Sequence, residues 1–401
     1  MIHWDLMTMF ELLPQDRDDL VRFLRDLIRI PSPSTEEGEV AAWLAEEMQR
    51  VGFPEVWVDR IGNVIGRLGS GGGKTLLYNA HMDTVGIGDP KSWSHDPYGA
   101  EIEAGVLYGR GASDMKGALA AMVYGAKALI DAGVALEGNF YVVGVVQEEV
   151  CEGLAMRVLI EEEGIRPDFV VLGEATNLQV SRGQRGRLGM RLRTHGRSCH
   201  GSAPERGVNA IYPMARIVLE IEKLNEKLAY DPFLGKGSIA ATVIESTSGG
   251  TNVIPDSCTI YLDRRLTAGE TEAVAVAEIE EIIARHAPDA EVEVLEYEAT
   301  SYRGYPCRAR QYFPAWVLDE DHPLVQAMAQ AIEETLGYRP VIGKWAFSTD
   351  GAYTMGVAGI PTVGFGPGEE RFAHTVEDQV RIEDVIKAAR VYARLAVDIL
   401  K

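Results

Sequence analysis

The chain has 401 residues, 46% of them hydrophobic and 25% charged, with 39 Lys and Arg against 60 Asp and Glu for a formal net charge of -21. That length and ordinary composition predict a globular protein with two domains. The acidic excess, uninterrupted by any basic block, argues against nucleic acid and anionic membranes as partners. The opening stretch MIHWDLMTMFELLPQDRDDL has neither a basic region nor a long apolar run, so no signal peptide is expected. No later stretch reaches membrane-spanning length without a charge or several glycines.

In chain order, DRDDLVRFLRDLIRI predicts a first helix. A Pro/Ser loop follows in PSPSTEEGEVAAWLAEEMQRVGF, leading to a second helix that Ser34 or Thr35 can cap. The apolar runs GNVIGRL, TLLYNA, GNFYVVGVV and DFVVLGEA then alternate with the helical stretches KGALAAMVYGAKALIDAG and GLAMRVLIEEEG. That alternation predicts an α/β sheet covered on both faces. Near residue 186 the order becomes strand RGRLGMRLRTHGRS, helix GVNAIYPMARIVLEIEKLNEKL, strands GSIAATVIEST and SCTIYLDRRL, helix TEAVAVAEIEEIIARHA and strand AEVEVLEYEA. This β-α-β-β-α-β order is ferredoxin-like. After about residue 303 the α/β pattern resumes through HPLVQAMAQAIEETLG, IPTVGFG and IEDVIKAARVYARLAVDIL. A discontinuous α/β domain of residues 1–185 and 303–401 is therefore expected, with a smaller α+β domain of residues 186–302 inserted in it.

Five segments could carry chemistry. In LLYNAHMDTVG, His81 and Asp83 lie two apart at a strand end, so they share a face, and the carboxylate can hold the second nitrogen of a metal-bound imidazole. Asp114 lies before a helix rich in small residues, where it is a helix cap or a ligand. The run VVGVVQEEVCEG ends in Glu148 and Glu149, two acids that are costly there unless paired with cations or set in a wet cleft. Glu174 follows the apolar run of FVVLGEATN, and His374 lies in the loop of GFGPGEERFAHTVEDQV. Four of these come at or just after the carboxyl ends of apolar runs, the edge where open α/β sheets gather ligands. Two histidines and three carboxylates can hold two metal ions with one carboxylate bridging. Nitrogen and oxygen donors without thiolate suit Zn2+, with Co2+ or Mn2+ as alternatives. The doubled Glu148-Glu149 can supply both a ligand and a free base. Cys151, Cys199, Cys258 and Cys307 are far apart without C-x-x-C spacing, which fits reduced thiols in a cytoplasmic protein.

In combination and in this order, HMDTV, GRGASDMKG, QEEVCEG, GEAT and AHT resemble the dizinc aminoacylase and carboxypeptidase family. That family includes acetylornithine deacetylase, succinyl-diaminopimelate desuccinylase and glutamate carboxypeptidase. The resemblance covers nearly the whole chain and is closest to a subgroup linked to selenium metabolism. It implies a zinc-exopeptidase-like α/β catalytic domain whose insert is a lid and dimerisation domain. By the resemblance, His81 and Glu174 bind one metal, Glu149 and His374 the other, and Asp114 bridges them. Asp83 orients His81, Glu148 is the general base, and the Asp114-Met115 peptide is cis. In RSCHGSAPERGVNA, His200 stabilises the oxyanion, reaching a partner's site in dimeric members. In GGTNVIPDSCTIYLDRRL, Asn252 and Arg265 contact the substrate carboxylate, with Arg264 competing for the second role and an Asp263 salt bridge as the plainer use of the arginine. Two features depart from the pattern: Ala175 stands where the family commonly has proline, and Lys344 and Trp345 have no assigned role.

The expected activity is metal-dependent hydrolysis of an amide bond in a small N-acyl amino acid or related carboxylate-bearing molecule. Dipeptide or carboxypeptidase-type cleavage is the alternative, and a non-catalytic scaffold a remote one. The expected partners are that small molecule and a second copy of the chain.

Overall fold

A computed structural model describes residues 10–401, so residues 1–9 of the opening stretch inspected for a leader lie outside it. The larger unit is built on a nine-stranded mixed sheet. At its centre four adjacent strands run parallel, in the order Asn139–Val145, Thr75–His81, Phe169–Leu172 and Thr362–Gly364. Val64–Gly69 and Glu55–Val58 extend one side antiparallel; Val180–Gln184, with Ile342–Trp345 and Trp316–Val317, forms the other. Strands covered on both faces must be apolar throughout. Accordingly Leu76, Leu77, Val142, Val143, Val170 and Val171 are all fully buried.

Alternation along Thr75–His81 divides its side chains between the two faces. Tyr78 meets the last helix, Ile382–Leu400, where its hydroxyl donates to the Tyr392 carbonyl at 2.7 Å. Asn79 points to the opposite face and donates to Asp350 at 2.7 Å. His81 shares the face of Asn79 and ends the strand, so the same alternation that builds the core delivers an imidazole to the sheet's carboxyl edge.

The inserted unit has the strand order Ser238–Thr247, Ser257–Leu266, Gly186–His195 and Glu291–Val294, all antiparallel. Helices Ile211–Lys227 and Glu272–His286 cover one face. Leu188, Met190, Leu192, Ile260 and Leu262 pack there with Met214, Ile217, Ile279 and Ile282 in a core separate from that of the larger unit. The chain thus has the α/β architecture with a ferredoxin-like α+β insert expected from its sequence.

Two local expectations fail. Neither Ser34 nor Thr35 caps the helix Gly38–Arg50, whose N-cap is Glu37. The Asp83 carboxylate draws the Ser34 hydroxyl to 2.7 Å, and Thr35 takes a φ of 78°. The segment AEVEVLEYEA is not one strand. Glu291–Val294 pairs with the first insert strand, whereas Glu296–Thr300 pairs with Pro306–Arg310 and packs Tyr297 and Ala299 on the larger core. Residues on the two sides of Leu295 bury against different cores, which breaks the run. Tyr312–Phe313 then returns to pair with Leu188 and Arg187.

Candidate metal centre

The sheet order brings distant acids together. His81 ends one central strand, Glu148 and Glu149 follow its neighbour Asn139–Val145, and Glu174 follows Phe169–Leu172 on the other side. His374 comes from the loop after Thr362–Gly364, at a φ of 61°. Asp114 lies on the turn leading into the helix Gly117–Asp131, and its peptide bond to Met115 is cis. Its two carboxylate oxygens face two imidazoles: Oδ1 is 3.0 Å from His81 Nε2, and Oδ2 is 3.2 Å from His374 Nε2. His374 Nε2 is also 2.8 Å from Glu149 Oε2, and His81 Nε2 is 4.0 Å from Glu174 Oε1. Donor atoms of His81, Glu148 and Glu174 lie within 4.8 Å of one another, as do those of His81, Asp114 and Glu149. Asp114, Glu148, Glu149, Glu174 and His374 line a cavity of about 300 Å³ between the larger unit and the insert, with His81 buried behind them.

Other acids hold this cluster from behind. The Asp83 carboxylate accepts the backbone N–H of Glu148 at 3.1 Å and of Glu149 at 3.2 Å. Its nearest approach to His81 is through the backbone: His81 Nδ1 is 2.7 Å from the Asp83 carbonyl and 3.8 Å from the carboxylate. The imidazole is therefore oriented by the carbonyl, while the carboxylate fixes the turn carrying the two glutamates. Sequence reasoning missed two further acids. Asp378 accepts N–H bonds from Gly111 at 2.7 Å and Ser113 at 2.8 Å and one from Arg110 at 3.1 Å, which pins the loop before Asp114. Asp350 joins Asn79 to Gly153, whose N–H it accepts at 2.6 Å. Asp378 lies inside GFGPGEERFAHTVEDQV, but neither acid has a local spacing that announces a partner so remote in sequence.

Burial of so many acids perturbs their titration. It raises Glu148 well above the usual carboxylate range, with Glu174 adding to the effect, and raises Glu174 likewise with Asp114 adding. Glu149 is raised by burial and by Asp114. For Asp114, burial works against the charge, but hydrogen bonds from His374 and His81 prevail and hold it below the usual range. His374 is raised to about 10 by its bonds to Asp114 and Glu149. So many carboxylates gathered out of water call for positive charge beside them. Nitrogen and carboxylate donors without a thiolate fit a pair of borderline divalent ions. Glu148 Oε1 is buried without any hydrogen-bond partner, an orphaned acceptor beside those donors.

From the insert, Arg265 lines the cavity and also pairs with Asp263 at 2.7 Å and 3.1 Å. Arg264 points the other way, fully buried against Glu270 and Glu278, because strand alternation turns it to the helical side. Of the two arginines, Arg265 alone therefore lines the cavity. His200 and Asn252 are exposed, lie by the short two-stranded ladder that pairs Cys199–His200 with Val253–Ile254, and do not line this cavity. Trp345, left without a role, is buried and donates to the Ala175 carbonyl at 2.9 Å, bracing the residue after Glu174. Lys344 does not line this cavity and donates to the Phe233 carbonyl.

Comparison with known proteins agrees with this architecture. An Escherichia coli (strain K12) protein called Uncharacterized protein YgeY is 44% identical over 377 residues, covering 94% of this chain and 93% of its own. A succinyl-diaminopimelate desuccinylase of Methylorubrum extorquens (strain PA1) is 29% identical over 392 residues, covering 92% and 96%. The solved structure of an M20 family metallo-carboxypeptidase, Sso-CP2 from Sulfolobus solfataricus, superposes with a TM-score of 0.76 at 19% identity over 96% of this chain and 99% of that one, a likeness of fold. Residues 77–398 match the sequence profile of peptidase family M20/M25/M40. On that match and on a relative 44% identical over nearly its whole length, the chain belongs to peptidase family M20/M25/M40.

Proposed function

We propose that the protein is a dinuclear metal hydrolase that cleaves the amide bond of a small N-acyl amino acid. The observation that carries this reading is Asp114, whose two oxygens each face a different histidine. In it, His81 and Glu174 hold one divalent ion, Glu149 and His374 hold the other, and Asp114 is shared. Zn2+ suits the donor set, with Co2+ or Mn2+ as alternatives. When bound, such a pair polarises the scissile carbonyl and lowers the pKa of water held at the site.

The chain's own groups do the rest. Glu148, with a buried oxygen free of any hydrogen bond, takes a proton from the attacking water and delivers it to the leaving nitrogen. Asp83 keeps the backbone of Glu148 and Glu149 fixed while this happens. Arg265 binds the substrate carboxylate from the insert. The relative named a succinyl-diaminopimelate desuccinylase supports an N-acyl amino acid as substrate. Four free cysteines suit a reducing, cytoplasmic setting.

His200 and Asn252 belong to this reading as residues supplied by a second copy of the chain, His200 donating to the oxyanion. Both are solvent-exposed away from the cavity of their own chain. The insert's edge strand Ser238–Thr247 supports such pairing, since Ile244 is 61% exposed and most of that strand faces solvent.

Three outcomes are expected. Metal-loaded protein releases primary amine from one acyl class among N-acetyl, N-succinyl and N-carbamoyl amino acids; turnover of dipeptides alone would make it an exopeptidase, and silence throughout would remove the substrate class. Glu148→Gln keeps its metal by elemental analysis while turnover drops about 10²–10⁴-fold, and near-normal rates would take the base role from Glu148. Sedimentation equilibrium finds a dimer, whereas a monomer with full activity would leave His200 and Asn252 without a function.

A further inference from the structure

Beside the metal centre the cavity is lined by a pair of opposite charges from the two units, Arg187 of the insert and Glu152 of the larger one. Arg187 stands opposite Arg265 in the register of the two central insert strands. Alternation turns both to the sheet face away from the insert's helices, since Leu188 and Leu266 next to them lie in the insert core. Arg187 Nη1 donates to Glu152 Oε1 at 3.0 Å, and its Nε lies 4.0 Å from Asp263 Oδ2. Arg265 spends Nε and Nη2 on Asp263. Arg187 Nη2 and Arg265 Nη1 are left without a hydrogen bond among the described residues, and neither is a buried orphan, so both have open space before them.

The Arg187 guanidinium is held on two sides. Glu152, only 9% exposed, takes one edge, and the Phe313 ring lies 5.6 Å from its centre. Burial of Glu152 raises its pKa, and the Arg187 charge opposes that rise. Two guanidinium forks, fixed in neighbouring strands with an N–H free on each, form a grip for one carboxylate.

We propose that Arg187 is the second arm of the carboxylate subsite, closing on the same substrate carboxylate as Arg265, and that Glu152 positions it. This rests on the reading of the site as a hydrolase of carboxylate-bearing amides. Glu152 lies three residues after Glu149, so the grip stands on the same short turn as the metal ligand and the base. The subsite thus selects a free carboxylate close to the scissile bond and rejects the corresponding carboxamide, which would leave two N–H groups and an ion pair poorly matched.

The test is calorimetric binding to zinc-loaded Glu148→Gln protein, in which turnover is suppressed. The probes are N-acetyl- and N-succinyl-L-alanine and their C-terminal amides. The acid of at least one pair is expected to bind about tenfold or more tighter than its amide. Adding Arg187→Met should abolish about tenfold of that preference while amide affinity and zinc content stay unchanged. Arg187→Lys should recover part of it, because an ammonium restores the charge without the fork. Equal binding of acid and amide, no detectable binding of either, or a preference that survives Arg187→Met would overturn the proposal. So would a Lys variant as weak as Met, which would assign the loss to packing on Phe313. Because the readout is binding, an enzyme that hydrolyses nothing in the amine-release panel would sink the functional reading and still leave this comparison decisive.

Discussion

The structure is organised around one electrostatic problem: Asp114, Glu148, Glu149 and Glu174 are gathered, largely out of water, within a few ångströms of two imidazoles. An unpaired buried carboxylate costs several kcal/mol even after local relaxation, so four together demand cationic compensation. The parallel sheet creates the crowding, because adjacent strands all release their next residues at the same edge. Asp83, Asp378 and Asp350 then hold the turns in place through backbone N–H groups, as the like charges alone would push those turns apart. The acids behind the centre thus serve as anchors for backbone, while the acids within it are the groups that could hold cations.

The same constraint links the two units. The larger core and the insert core share no residue, yet the cavity between them is lined by Glu152, paired with Arg187, and by Arg265, which Asp263 pairs from its own strand. Each arginine brought over by the insert arrives already neutralised by an acid, so the insert can approach an acidic centre while keeping guanidinium N–H groups free for a ligand. Tyr297, on the segment leaving the insert, donates at 2.7 Å to the Gln147 side chain. Gln147 immediately precedes Glu148, so the covalent connection to the insert also touches the turn that bears Glu148 and Glu149.

Much of this was legible in the sequence. Apolar runs bounded by glycine and followed by acids announced the parallel strands and what lies at their ends, and the order of the insert's elements announced its topology. The cluster His81, Asp114, Glu148, Glu149, Glu174 and His374 was legible because each residue stands at a strand end or in a small-residue turn. Less was legible where a side chain had two suitors. Ser34 could bond the next helix or a carboxylate 49 residues away, and local spacing cannot rank the two. Arg264 and Arg265 differ only in which sheet face meets helices, a fact of packing. Asp378 and Asp350 look like loop acids until their donors, hundreds of residues earlier in the chain, are brought to them. His200 and Asn252 are a different case, since a single chain has no cavity against which to judge them.

The central claim is that this acid cluster holds two metal ions through a shared Asp114. Its most direct test is the metal content, by elemental analysis after dialysis against zinc-buffered solution, of the native chain and of Asp114→Asn. The account predicts about two ions per native chain and a fall to one or fewer in the variant, because removing the shared charge weakens both positions. A native chain that binds a single ion, or a variant that keeps both, would contradict it.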